Sequence, residues 1–152
     1  MADIVDTATR SRMMAGIKGK NTKPELLVRK GLHALGFRFR LHSKDVPGKP
    51  DLVLRKYRAA VFVHGCFWHG HDCHLFKMPT TRTDFWGAKI NRNRERDQEV
   101  RSQLIESNWR RLVIWECALK GKTRMDFDFL LQSVAKWLRG RELEFEIAGG
   151  RA

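Results

Sequence analysis

Apolar and polar positions along this chain alternate between helical and strand spacing, and the changes of period divide it into elements. Thr22-Lys-Pro-Glu25 is a capping-box pattern with proline in the first turn, and the helix it opens is expected to run to about Leu35, where Gly36 offers a left-handed stop. Phe37–Leu41, FRFRL, alternates with the period of a half-buried strand. DVPGKP, residues 45–50, is a turn cluster. DLVLR and AAVFV then read as two strands joined by a tight KYR connection, a hairpin. A long charged helix is expected from near Asp84 to near Ser107, with Asn108 as a left-handed cap. RLVIWEC reads as a fourth strand, and a last helix from about Phe127 to Leu138 is closed by Gly140. Beyond it the chain shows little pattern. Hairpin-linked strands plus one crossover predict an α/β fold, a mixed sheet flanked by helices. The expected organisation is a basic arm over residues 1–21, a domain over 22–140 and a C-terminal tail over 141–152.

Charge changes the picture more than size does. The chain has 152 residues, enough for one domain with its own core. Its net charge of +13 and pI near 10.3 point to a polyanionic partner, nucleic acid first of all. The basic excess runs through the N-terminal arm (Arg10, Arg12, Lys18, Lys20) and the long helix (Lys89, Arg92, Arg94, Arg96, Arg101). No apolar run reaches the roughly 20 residues a spanning helix needs, and MADIVDTATRSRMM lacks the apolar core of a secretory signal. Three cysteines interleaved with histidines fit reduced thiols at a metal rather than a disulfide framework. A cytoplasmic location is expected.

The chemistry concentrates in VFVHGCFWHGHDCH, residues 61–74. Cys66, His71 and Cys73 there, with Cys117 at the end of the fourth strand, have the composition of a tetrahedral structural zinc site. His74 competes with His71 for the nitrogen position, and Cys117 as an ordinary buried thiol is the plainer reading. His64 and His69 remain, with Asp51 opening the preceding strand. A carboxylate can bring Mg²⁺ to a phosphodiester while an imidazole moves a proton. Asp51 also suits a turn cap equally well, and Val61-Phe-Val63 carries no Glu-x-Lys of the kind that follows the metal-binding aspartate in restriction-type nucleases. Phe67 and Trp68 sit between metal ligands, where a stiff backbone could present them, with Trp86, as a wedge between base pairs. Lys89 and Asn93, one turn apart, could reach base edges. Trp109, Trp115 and Trp137 read as core residues.

PGKPD, FVHGCFWHGHDC, TRTDFW, the Lys89–Asp97 helix face and WEC together resemble the very short patch repair endonucleases, from ATRSRMM to about Trp137. The resemblance implies a restriction-endonuclease-like fold that nicks one strand of double-stranded DNA beside T:G mismatches left by deamination of 5-methylcytosine. It implies Asp51 as the Mg²⁺ ligand together with the backbone carbonyl of Val63, where members of the family can carry threonine. It makes His69 the general base, His64 a second catalytic histidine and Glu25 an acidic residue near the metal waters, although N3 of a capping box explains Glu25 as well. Cys66, His71, Cys73 and Cys117 correspond to the zinc ligands, and Met14 to a residue inserted from the opposite groove. Action as a monomer and a functional link to a cytosine-5 methyltransferase and mismatch-repair proteins are further expectations. Two readings compete: a non-catalytic, zinc-stabilised DNA-binding module, and a nuclease of the ββα-metal class without mismatch preference.

Overall fold

A computed structural model describes residues 22–150. Five strands form one mixed sheet in chain order: β1 (Arg40–Leu41), β2 (Leu52–Leu54), β3 (Ala59–His64), β4 (Arg110–Trp115) and β5 (Glu144–Ile147). The first three are antiparallel neighbours, whereas β3–β4 and β4–β5 are parallel. Among the described residues three α-helices cover the sheet: α1 (Lys23–Ala34), α2 (Thr83–Glu106) and α3 (Phe127–Arg139).

The strands alternate their side chains between two cores. Leu52, Leu54, Val61, Leu112 and Ile114 meet Val28 and Leu32 of α1 and Leu130, Val134 and Leu138 of α3. Val53, Ala60, Phe62 and Val113 face the other way and pack with Leu104 of α2 and with Trp109. Helices on both faces explain why β2 and β3 read as unbroken apolar runs. A side chain on Gly31 would meet Leu131 at 2.7 Å, so α1 and α3 approach here without room for one. On α2 only Ile90 and Leu104 are fully buried; Val100 packs on the core, and much of the rest of this 24-residue helix is charged and exposed.

The hairpin forms as expected, its Arg55–Tyr57 3₁₀ turn ending on Arg58 in the left-handed region. Gly36 and Asn108 likewise take positive φ, 96° and 62°. Gly140 closes α3 in an extended conformation. Two expectations need correction. The FRFRL strand shrinks to Arg40–Leu41, with Leu41 exposed, because β1 is an edge strand with a two-residue register on β2. The tail expected over 141–152 contains β5, which continues the sheet beside β4. The basic arm 1–21, Met14 included, lies outside the described residues. No helix among the described residues is long and apolar enough to cross a membrane.

Candidate active site and metal centre

Parallel pairing of β3 with β4 brings their C-terminal ends to one edge, with His64 in register with Trp115. The loop after β3 and the Glu116–Ala118 turn after β4 therefore leave the sheet side by side. That is why Cys117 joins residues some fifty positions earlier. One sulfur, carboxylate or imidazole atom from each of Cys66, His71, Cys73 and Cys117 lies within 4.8 Å of all the others. The Cys117 amide donates to Cys66 Sγ at 3.3 Å, Cys117 Sγ lies 3.6 Å from His71 Nδ1, and the Cys66 amide donates to Glu116 Oε1 at 3.3 Å. Burial pushes the Cys66 and Cys117 thiols up and the nearby Cys73 adds to the rise, whereas the Cys117 amide at Cys66, and the Gly149 amide and Cys66 at Cys117, oppose it. Three sulfurs and one imidazole within reach of a common centre, already receiving backbone N–H bonds, are a donor set that fits a structural zinc ion. His74 stands outside the set, its Nδ1 3.4 Å from Thr123 Oγ1.

A second group forms where β2 begins. Asp51 Oδ2 accepts the Val63 amide at 2.7 Å. Burial pushes its carboxyl up to about 7; the Val63 N–H opposes the rise, and the charge of Glu25 and a hydrogen bond with it add to it. Glu25 is 2% exposed. Its amide takes the cap from Thr22 Oγ1 at 3.3 Å, while its Oε2 accepts from Arg29 at 3.1 Å and lies 2.9 Å from His42 Nε2. The capping position thus carries a carboxylate turned into the protein, where Glu25, His42 and Asp51 offer three closely spaced ligand atoms. A buried and a partly buried carboxylate in contact suit a hard divalent cation.

The histidines form a third group. His64 and His69 stack with ring centroids 3.8 Å apart and planes 5° from parallel. His69 Nδ1 lies 2.7 Å from Asp97 Oδ2, which makes Nδ1 the protonated nitrogen and leaves Nε2 to accept a proton. Burial first, and then the charges of His69 and Arg111, hold His64 well below the usual histidine range, so it is neutral. Its Nδ1 has no hydrogen-bond partner among the described residues. Asp51, Val63, His64, His69 and Asp97 all line one cleft of about 890 Å³, with Lys23, Lys49, Lys89, Arg96, Arg111 and Lys120 on its walls.

Phe67 and Trp68 line the same cleft and form a half-buried aromatic cluster with Trp86, with centroid separations of 5.2 to 5.7 Å. Lys89 Nζ lies over the Trp68 ring at 5.4 Å, and Asn93 donates Nδ2 to the Trp68 carbonyl at 2.8 Å. Arg94 donates to the Gly70 carbonyl. In the structure the polar face of α2 therefore holds the metal-centre loop in place.

The sequence reading missed several residues. Asp97 follows Lys89 and Asn93 at the same four-residue spacing, so its place on that face was available from periodicity. His42 is isolated in the sequence and carried no comparable signal. Trp115, expected in the core, packs half-buried against it and also forms the partition between the two centres. It stacks on His71 at 4.2 Å and meets His64 edge-on at 5.2 Å.

Asp51 with Glu25 behind it, an oriented histidine and an aromatic pair at one basic cleft define the class of a nucleic-acid hydrolase. A family model described as DNA mismatch endonuclease Vsr matches residues 2–75. The chain is 43% identical to the DNA mismatch endonuclease Vsr of Escherichia coli K12 over 147 residues, covering 97% of this chain and 94% of that protein. It is 47% identical to the type II nicking enzyme V.XorIIP of Xanthomonas oryzae, over 78% of this chain and 88% of the relative. It is 49% identical to the nicking enzyme V.NmeAIP of Neisseria meningitidis, over 80% and 87%. The chain belongs to the Vsr family of DNA mismatch endonucleases and is a DNA-cleaving hydrolase.

Proposed function

We propose that this enzyme is a Mg²⁺-dependent endonuclease of restriction-endonuclease-like fold. It nicks one strand of duplex DNA beside a T:G mismatch, such as deamination of 5-methylcytosine leaves, and a structural zinc ion braces its wedge loop. The observation that carries the reading is the meeting, in one basic cleft, of Asp51, the His69–Asp97 pair and the Phe67–Trp68 aromatics, with Glu25 behind Asp51 and Trp86 behind the aromatic pair.

Asp51 and Glu25, with the backbone carbonyl of Val63, would hold the divalent cation, and Cys66, His71, Cys73 and Cys117 the zinc. When bound, Mg²⁺ supplies Lewis-acid polarisation of the scissile phosphate. His69 Nε2 accepts a proton from the attacking water as its oxygen bonds to phosphorus and the bond to the leaving oxygen breaks. Asp97 holds the His69 ring in the orientation that leaves Nε2 free. Neutral His64 covers one face of that ring and shields it from bulk water. Phe67 and Trp68, stiffened by flanking metal ligands, unstack the site, and a mismatch opens more cheaply than a matched pair. Lys89 and Asn93 reach the DNA from the face that supports Trp68, and Met14 of the basic arm adds a contact from the opposite groove. Cytoplasmic action as a monomer, linked to a cytosine-5 methyltransferase and mismatch repair, completes the reading.

Labelled T:G and matched T:A duplexes, incubated with and without Mg²⁺, test it. A single nick in one strand of the T:G duplex, requiring Mg²⁺, is the expected result. Salt-sensitive binding without cleavage under any divalent metal would instead establish a non-catalytic DNA-binding module. Equal cleavage of both duplexes would establish a nuclease without mismatch preference.

A further inference from the structure

Past Ile147, which pairs with Ile114, the chain runs on beside the end of β4 and reaches the Cys/His centre. The Gly149 amide donates to Cys117 Sγ at 3.2 Å. A side chain at Gly149 would meet Thr123 Oγ1 at 2.3 Å and the Cys117 carbonyl oxygen at 2.5 Å, so the backbone comes this close only as glycine. The Gly150 amide donates to the Thr123 carbonyl at 3.0 Å. Thr123 Oγ1 donates to the Cys117 carbonyl at 3.0 Å and lies 3.4 Å from His74 Nδ1. The C-terminal segment, the 121–125 turn and His74 thus close a collar around one cysteine.

We propose that Gly149 is a positioning residue of the metal centre: its N–H fixes Cys117 Sγ as a ligand, and Thr123, with His74 behind it, fixes the Cys117 backbone. The proposal rests on the zinc reading given above. A thiolate bound to a cation keeps excess charge, and a backbone N–H aimed at the sulfur disperses that charge while fixing the direction of its lone pairs. Outer partners of this kind typically contribute about 10- to 100-fold in metal affinity. The same contact gives β5 and its extension a function. They tie the sheet edge to the centre that stiffens Phe67 and Trp68, so C-terminal residues reach the wedge through Cys117.

Zinc stoichiometry, competition against a chromophoric chelator and the thiolate charge-transfer band of the Co²⁺-substituted protein test this. The comparison covers the full chain, Gly149→Ala, Thr123→Val, a chain ending at Ile147 and a control ending at Gly150. The full chain and the control are expected to bind one zinc with equal affinity. Gly149→Ala and the chain ending at Ile147 should bind it about 10- to 100-fold more weakly, with a shifted Co²⁺ band. Thr123→Val, which keeps the 149 amide, should show a smaller loss and keeps the test informative if Gly149→Ala fails to fold. Unchanged affinity and an unchanged band in all the altered chains would overturn the role of Gly149 while leaving the zinc site standing. A full chain that binds no zinc would overturn both.

Discussion

His69 and Asp97 show how little a residue type says until its partner is known. His69 could be a ligand, a base or a surface group; the 2.7 Å contact from its Nδ1 to Asp97 fixes the tautomer and frees Nε2. Asp97→Asn can keep the contact but favours the wrong tautomer. It is expected to lower the single-turnover nicking rate by about 10²-fold or more, with DNA affinity and zinc content unchanged. Loss of binding in proportion to the rate would instead mean that Asp97 only holds the loop. Asp51 yields a prediction of opposite sign for stability. Its carboxyl is pushed up to about 7 by burial, so the metal-free fold holds a proton that the unfolded chain releases near its ordinary value of 3.8. The folded state therefore loses stability as pH rises from about 4 through 7, and the full penalty stands above 7. Asp51→Asn keeps an acceptor for the Val63 amide and removes the charge. Thermal unfolding of the metal-free protein should show a gain on the order of 2 kcal/mol at pH 8 that vanishes near pH 4. An equal gain at both pH values would show that charge is not its cause.

The long helix α2 and the short strand β5 mark the limits of what could be read from the chain. Length and charge revealed α2, but its function follows from its face: Lys89, Asn93 and Asp97 all turn to the loop and the catalytic cleft. β5 is too short and too acidic to stand out. Glu144 is explained by Arg101, whose Nε and Nη2 donate to it at 2.5 and 2.8 Å, and by Arg111 at 3.8 Å, and Glu146 by Trp115 Nε1, which donates to it. The Cys/His cluster and the aromatic pair were legible because the six residues concerned, Cys66, Phe67, Trp68, His71, Cys73 and Cys117, lie in two short motifs. His42, Trp115 and Gly149 were not, since their meaning comes from strand pairing across distant segments. The energetics of α2 separate burial from charge. Leu104, fully buried, should cost about 2–5 kcal/mol when cut to alanine. Arg101→Ala breaks a pair that is partly solvated on both sides and should cost no more than about 1 kcal/mol. Urea unfolding of both variants checks the ranking; a reversal would mean that α2 is held by its ion pairs.

At the scale of the whole molecule, affinity and discrimination come from different forces, and salt can separate them. The +13 charge acts on every phosphate alike, whatever the base sequence. The aromatic cluster is uncharged and, in the proposed role, acts only where a step can be opened. Counterion release makes each phosphate contact lower the binding constant by roughly a 0.9 power of salt concentration. Lys23, Lys49, Lys89, Arg96, Arg111 and Lys120 line the cleft. If roughly four to six cations touch phosphate, affinity should fall about 10²- to 10³-fold between 50 and 200 mM salt. T:G and T:A duplexes should lose affinity in parallel, because unstacking an uncharged step releases few counterions. The ratio of their binding constants should then stay within about threefold across the titration. Phe67→Ala or Trp68→Ala should shrink that ratio at every salt concentration without changing the slope. If the ratio instead collapsed as salt rose, discrimination would be electrostatic, and the aromatic cluster would not be the mismatch reader.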